Sequence, residues 1–192
     1  FLAAVAQPTA TPGGGSVAAL AGALGASLGE MVAGLSHQRK SQAAFASPLR
    51  KALTEFHAAS KMLAVAIDRD AASFQAVLAA HKLPRETLEE RQRRDRAMQQ
   101  ALHGAVEVPL DVARQAADVF DKLGQLEAMS SPSMLSDLRV ARLMAAAAVH
   151  GALENATINL ESVTDAGFAE QTRAQIRALA SRATDFPVRA GQ

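Results

Sequence analysis

The chain contains no cysteine, tryptophan or tyrosine, and only 4% of its residues are aromatic. The lack of cysteine excludes disulfide bonds and thiolate catalysis, and it fits a reducing compartment, so we expect a cytoplasmic protein. With so few aromatic side chains, the core has to come from alanine, leucine and valine in closely packed helices. A formal net charge of +1 offers no uncompensated basic surface for nucleic acid or an anionic membrane.

Metal-ligand spacing and strand-like alternation are also missing. The five histidines show no familiar ligand pattern, so we predict no catalytic metal. Every long segment has the apolar spacing of a helix, and 192 residues suit one domain. We therefore expect an all-α, single-domain bundle of long antiparallel helices over residues 1–192.

Proline, glycine and serine clusters divide the chain into six predicted helices. These helices cover residues 1–5, 16 to about 37, 48–80, 86–126, 136–163 and 165–182. The predicted N-cap residues are Ser47, Ser136 or Asp137, and Thr164 or Asp165. Pro109 predicts a kink or a brief interruption of the fourth helix.

The most apolar segment, residues 17–35, approaches the length that spans a bilayer. It contains Glu30 and is mostly alanine and glycine, which favours a buried helix of a soluble bundle, and we expect no membrane partner. Gly22, Gly25 and Gly29 recur at helical spacing and would allow a second helix to approach closely.

Three consecutive glycines, Gly13 to Gly15, precede Ser16 at the start of this helix. A glycine-rich helix N-terminus presents free N–H groups to an anion or ligand, but the same residues also form ordinary turns and caps. Neither a Walker nor a dinucleotide-binding spacing is present. The glycines alone leave both interpretations open.

A carboxylate interrupts the apolar seam of the third helix. The seam consists of Leu49, Leu53, Phe56, Ser60, Leu63, Ile67, Asp70, Phe74 and Val77. A buried, unpaired carboxylate is costly, so Asp70 is either a structural acid with a partner or a group that transfers protons in a pocket. Asp68 points to another face of the helix, as expected for a surface or rim residue.

Two amides, Asn155 and Asn159, follow a stripe of small residues on the fifth predicted helix. Amides offer both a donor and an acceptor, which suits recognition of a heterocycle with mixed hydrogen-bonding edges. They can equally bond a neighbouring helix or pair across an oligomer axis.

Several ordered motifs together resemble the cyclodeaminase domain of formiminotransferase-cyclodeaminase and its free-standing relatives, which include methenyltetrahydrofolate cyclohydrolases. The motifs are Thr-Pro-Gly-Gly-Gly-Ser-Val-Ala-Ala at 11–19, Ile-Asp-Arg-Asp-Ala-Ala-Ser-Phe at 67–74, Leu-Pro at 83–84, Val-Pro-Leu at 108–110, Ser-Asp-Leu-Arg-Val-Ala at 136–141 and Asn-Ala-Thr-Ile-Asn-Leu at 155–160. The resemblance covers nearly the whole chain. It implies an all-helical homodimer, or a dimer of dimers, with a folate site near the subunit interface.

The same resemblance implies roles for individual residues. Asp70 matches the catalytic acid and base, and the expected reaction closes 5-formiminotetrahydrofolate to the 5,10-methenyl form with release of ammonia. The implied substrate-binding residues are Gly13, Gly14, Gly15, Ser16, Arg39, Lys40, Asp68, Ser136, Asp137, Asn155 and Asn159. No cofactor is expected beyond the tetrahydrofolate substrate.

The chain departs from the family pattern at two places. Residues 37–42 keep the basic pair Arg39 and Lys40, which could meet the glutamate tail of folate, but lack the aromatic residue that follows in many relatives. Ser131 stands where relatives often carry asparagine. A methenyltetrahydrofolate cyclohydrolase and a non-catalytic bundle that binds folate or a protein partner are the alternative functions.

Overall fold

The computed structural model describes residues 1–184, which form α-helices joined by short loops and two 3-10 turns. The helices are α1 (Leu2–Val5), α2 (Gly14–His37), α3 (Ala46–His81), α4 (Leu88–Glu127), α5 (Leu135–Leu160) and α6 (Ala166–Arg182). The 3-10 turns cover Lys40–Phe45 and Pro132–Met134. The all-α prediction is confirmed, while residues 185–192 of the expected domain lie outside the described part.

The four long helices α2 to α5 pack as a ring, in which α2 contacts α3 and α5, and α4 contacts the same two helices. Alanines dominate the core, and the largest fully buried side chains include Phe56, Leu49 and Leu63 of α3. Glycines let α2 approach its neighbours: a Cβ at Gly25 would lie 2.8 Å from the Ala141 carbonyl oxygen of α5. The predicted close approach at these glycines is therefore confirmed.

Pro109 lies inside α4 without interrupting it. Because proline has no N–H, the carbonyl of Ala105, four residues earlier, loses its helical partner. Asn159 Nδ2 of α5 donates to that oxygen at 2.7 Å. Helix α4 therefore continues through Pro109, because a side chain from the next helix satisfies the carbonyl that the proline leaves free, and of the two predicted outcomes the kink stays a prediction.

Several predicted helix starts are also wrong. Helix α3 begins at Ala46, directly after a 3-10 turn, so Ser47 lies inside it and caps nothing. Helix α5 begins at Leu135, which places Ser136 and Asp137 within its first turn. The prediction for α6 is confirmed, since the Asp165 side chain accepts the Phe168 N–H.

Helix α2 is long and apolar enough, by length and composition, to cross a membrane. Half of its most apolar window is buried inside the bundle, against α3 and α5. Packing in the core therefore accounts for one side of α2. Large apolar side chains of its other side are exposed.

Arg182, the last residue of α6, links this helix to α4. Its guanidinium donates hydrogen bonds to Asp118 and Asp121 at 2.8 and 2.5 Å. These two hydrogen bonds raise the pKa of Arg182 above its ordinary value. The guanidinium therefore stays charged throughout the working range of the protein.

Candidate functional site

The Asp70 carboxylate lies against the first turn of α2. Ser16 Oγ is 2.9 Å from Asp70 Oδ2 and 3.1 Å from the Ile67 carbonyl oxygen, and it donates to both. A Cβ at Gly15 would lie 2.6 Å from Asp70 Cγ and 2.9 Å from Oδ2, so a side chain there would displace the carboxylate. The glycine thus makes room for an acid at a helix N-terminus, where free N–H groups favour negative charge.

A third helix contributes Asn155 to the same place. A Cβ at Gly14 would lie 3.2 Å from Asn155 Nδ2, so the amide rests on the backbone of α2. Asn155 Nδ2 donates to the Gly151 carbonyl of its own helix at 2.8 Å, which leaves Oδ1 as the acceptor near Gly14. The structure therefore gathers a carboxylate, an amide acceptor and a helix N-terminus from α3, α5 and α2.

The glycines of this turn act through close approach and not through unusual backbone angles. Gly13 is the N-cap of α2 with φ −115°, and no glycine among residues 1–184 has a positive φ. Of the three, Gly14 and Gly15 contact Asn155 and Asp70, whereas a Cβ at Gly13 would meet only the Ala10 carbonyl oxygen, at 3.2 Å. The cradle at the start of α2 is thus formed mainly by Gly14 and Gly15.

Asp70 is half-buried, which corrects the expectation of a continuous buried seam. The seam is fully buried at Leu49, Phe56 and Leu63, but Phe74 is 37% exposed. Helix α2 begins at Gly14 and covers α3 only as far as Asp70, so the last turns of α3 lack that neighbour. The carboxylate consequently has one side in the bundle and one side open, as proton exchange with a ligand requires.

Two predicted substrate-binding residues have other roles in the structure. Ser16 is fully buried, and its hydroxyl is engaged by Asp70 and Ile67. Asn159 donates to the Ala105 carbonyl at 2.7 Å and so ties α5 to α4, the structural alternative for an amide at this position. The Ser16 hydroxyl and the Asn159 Nδ2 group are therefore both engaged within the protein.

The remaining predicted residues do not join Asp70. Asp68 is exposed on another face of α3. Arg39 and Lys40 follow the other end of α2, while Ser136 and Asp137 begin α5. A rise of about 1.5 Å per residue puts Ser136 about 30 Å from Asn155 along the same helix. Within one chain, the predicted site is therefore divided between the two ends of the bundle.

Known proteins match this fold and this sequence. A family model described as formiminotransferase-cyclodeaminase matches residues 1–178. The chain belongs to this family. The formimidoyltransferase-cyclodeaminase of Rattus norvegicus is 42% identical over 183 residues, which are 95% of this chain and 34% of the relative.

Two further members of the formiminotransferase-cyclodeaminase family are closer in length. The methenyltetrahydrofolate cyclohydrolase of Methylorubrum extorquens is 33% identical, over 95% of this chain and 88% of the relative. The crystal structure of formiminotetrahydrofolate cyclodeaminase from Thermotoga maritima superposes with a TM-score of 0.77 at 27% identity, covering 93% and 89% of the two chains. The chain thus spans about a third of the mammalian relative and most of the bacterial ones.

In this family member, the far end of the bundle is organised by Ser131, which sequence reasoning treated only as a departure from the family pattern. Its hydroxyl caps the 3-10 turn Pro132–Met134 by accepting the Ser133 N–H, and it also accepts Arg39 Nη1 at 3.2 Å. The signal was present in the sequence, since a serine directly before proline is a common start of a helical turn.

A wide groove lies apart from the Asp70 carboxylate. It is an open groove of about 660 Å³ between α3 and α4, half of its lining residues are alanines, and the lining does not include Asp70, Ser16 or Asn155. Among residues 1–184, no cluster of three His, Asp or Glu side chains is placed to hold a metal ion. In one chain the Asp70 cluster is therefore an open surface, and a ligand there needs a further wall.

Proposed function

We propose that this chain is a folate one-carbon enzyme, a formimidoyltetrahydrofolate cyclodeaminase. The observation that carries this proposal is the half-exposed Asp70 carboxylate, held at the glycine N-terminus of α2 beside Asn155. The higher identity to the rat cyclodeaminase, 42% against 33% for the cyclohydrolase, favours this reaction. The comparable length of the cyclohydrolase makes methenyltetrahydrofolate hydrolysis the second candidate.

In the proposed reaction, folate N10 attacks the formimino carbon held on N5. The new C–N10 bond forms on the protonated formimino group as Asp70 takes the N10 proton, and the same carboxyl passes that proton to the departing NH2 nitrogen. The bond from the carbon to that nitrogen then breaks, NH3 leaves and the cationic 5,10-methenyl bridge remains. One carboxyl suffices because it accepts and donates the proton in turn. In the cyclohydrolase reaction, Asp70 would instead activate the water that adds to the methenyl carbon.

The substrate needs no cofactor in this scheme. Asn155 Oδ1 provides an acceptor for the pterin, and the N–H groups at Gly14 and Gly15 provide donors. Ser16 is not assigned to the substrate because it is fully buried with its hydroxyl engaged. Asn159 is assigned a structural role because its Nδ2 holds the Ala105 carbonyl of α4.

We also propose that a second copy of the chain completes the site in a homodimer. The outer face of α2 carries Val17, Leu24, Met31 and Leu35, which are 41–49% exposed at spacings of seven, seven and four residues. Apolar side chains at this spacing are typical of a helix that packs against another helix. The adjacent face of α5 adds Val140 and Leu143, which are 48% and 43% exposed.

Two-fold pairing through this face would reunite the divided site. In this face, α2 and α5 lie side by side and antiparallel. A two-fold axis perpendicular to both helices therefore brings the Arg39 end of one copy beside the Asp70 end of the other. Arg39 and Lys40 would then reach the carboxylates of the substrate's glutamate tail, with Ser136 and Asp137 nearby. We place this enzyme in the cytoplasm on its composition.

The proposal is tested by offering the purified protein 5-formimino- and 5,10-methenyl-tetrahydrofolate separately. The absorbance of the methenyl product and the release of ammonia identify cyclodeaminase activity, and loss of methenyl absorbance identifies cyclohydrolase activity. Turnover of neither substrate would overturn the proposal and favour a non-catalytic bundle.

The role of Asp70 is tested with a matched pair of substitutions. Asp70→Asn is expected to lower kcat by about 100-fold or more, since it removes the proton acceptor. Asp95→Asn, at an exposed position of α4, is the control and should keep its rate. Full activity in a folded Asp70→Asn protein would contradict the assignment.

A further inference from the structure

We infer that Ser16 is the positioning residue of Asp70: its hydroxyl holds the carboxylate oxygen Oδ2 and so fixes the orientation of the carboxyl that exchanges the proton. This inference rests on the proposed function, because it concerns how the same carboxyl is held during proton transfer. It also replaces the role of substrate contact that the sequence suggested for Ser16.

The burial of Ser16 distinguishes a positioning role from direct contact with the substrate. Ser16 has no exposed surface, and its Oγ lies between two acceptors of α3, Asp70 Oδ2 at 2.9 Å and the Ile67 carbonyl at 3.1 Å. A buried hydroxyl that lies between these two acceptors cannot contact a ligand. Among residues 1–184, it is the hydrogen-bond donor to the Asp70 carboxylate.

The two oxygens of Asp70 are thereby made different. Oδ2 accepts the Ser16 hydroxyl, whereas Oδ1 packs against the buried backbone of Gly15, in the space that a Cβ would fill. A carboxylate held at both oxygens loses rotational freedom about its terminal bond, so its remaining lone pairs keep a fixed direction. Ser16 thereby sets the direction in which the Asp70 carboxyl takes and returns the proton.

The Ile67 carbonyl is a second acceptor for the Ser16 hydroxyl while Asp70 gains and loses its proton. While Asp70 is ionised, a charge-assisted bond from Ser16 to Oδ2 is the stronger of the two. When Asp70 carries the proton, it becomes a weaker acceptor, and the hydroxyl proton can turn to the Ile67 carbonyl at 3.1 Å. Ser16 therefore keeps a hydrogen bond in both protonation states that Asp70 must visit.

The test is a double-mutant cycle of Ser16→Ala and Asp70→Ala, measured in single-turnover and steady-state assays with the preferred folate substrate. Ser16→Ala is expected to lower kcat about tenfold and to leave KM within about twofold, because a loose carboxylate still binds substrate. In the Asp70→Ala background, the same change should cost nothing further, since the group it positions is gone.

Ser36→Ala is the matched control. Ser36 is also a fully buried serine of α2, but it bonds Ser130 and Met134 at the other end of the helix, so its loss should leave kcat unchanged. A rise in KM at constant kcat for Ser16→Ala would overturn the inference and indicate substrate contact. Equal losses in both Asp70 backgrounds would also overturn it.

A second readout keeps the two proposals distinguishable. If the wild-type protein turns over neither folate, the proposed function fails, and the four proteins of the cycle are compared by urea unfolding. Ser16→Ala should then lower stability less in the Asp70→Ala background than in the wild type, because the shared hydrogen bond is already absent. Equal losses in stability would show that the hydroxyl does not act on Asp70.

Discussion

A missing side chain is what allows an acid to sit at the start of α2, so Gly15 is the most sensitive residue of the cluster. Gly15→Ala is expected to displace the Asp70 carboxylate, because the new Cβ would lie 2.6 Å from its Cγ. A misplacement of about 1 Å costs on the order of 100-fold in rate. The measurement is kcat with the preferred folate, together with circular dichroism to confirm the helical fold.

Gly104→Ala supplies the control for this prediction. Gly104 lies inside α4, and a Cβ there meets nothing within 4 Å. The substitution should retain activity and raise the free energy of unfolding by about 0.5–1 kcal/mol, since alanine loses less entropy in a helix. Similar rates for the two alanine variants would show that the contact between Gly15 and Asp70 does not matter for turnover.

The sequence revealed Asp70 because a carboxylate in an apolar seam breaks a local pattern. The partnership with Ser16 was not visible, since it joins residues 54 positions apart and depends on where α2 begins along α3. Asn155 and Asn159 shared one predicted stripe, yet only Asn155 rests on the start of α2. Side-chain type was thus readable from the sequence, whereas the partner of each side chain required the relative placement of the helices.

At the scale of the elements, the Asn159 amide replaces the backbone donor that α4 lacks at Pro109. Asn159→Ala would leave the buried Ala105 carbonyl without a partner, which costs about 1–3 kcal/mol. Pro109→Ala restores a backbone N–H for the same carbonyl. The loss caused by Asn159→Ala should therefore be smaller in the Pro109→Ala background, as measured by urea unfolding of the four proteins.

The double-mutant cycle of Asn159 and Pro109 tests whether the Asn159 amide has a structural role or binds a ligand. If Asn159→Ala costs the same stability in both backgrounds, the bond to Ala105 does not compensate for the proline. The continuation of α4 through Pro109 has the same origin: a proline disfavours a helix locally, and only the neighbouring helix reveals that the Ala105 carbonyl is satisfied. The lengths of the long helices were predictable because apolar periodicity extends over many turns.

At the scale of the whole molecule, the division of the predicted site follows from helix length. The Asp70 group lies at one end of the antiparallel pair α2 and α5, and the group of Arg39, Lys40, Ser136 and Asp137 lies at the other end, about 30 Å away. No loop rearrangement within one chain can close that distance. The sequence supplied both groups of residues but not their separation, since motif order says nothing about which ends of antiparallel helices meet.

The proposed α2–α5 interface predicts that Leu24→Glu converts a dimer to a monomer. A glutamate at the centre of an apolar face would be desolvated without a partner in the dimer, so sedimentation velocity should show half the mass and turnover should fall. Met62→Glu is the control, because Met62 is 54% exposed on α3, away from this face. A Leu24→Glu protein that remains dimeric would exclude α2 as the interface.

Mixing two inactive variants tests whether the site is shared between copies. Asp70→Asn removes the acid at one end of the chain, and the double variant Arg39→Ala/Lys40→Ala removes the cations at the other. If each site uses Asp70 of one copy and Arg39 of its partner, a mixed dimer contains one intact site. Unfolding and refolding the two variants together should then restore about a quarter of the wild-type rate, because half of the dimers are mixed and each has one working site. If both groups act within one chain, every site in the mixture carries one of the defects, and the rate of the mixture stays at the average of the two variants measured alone.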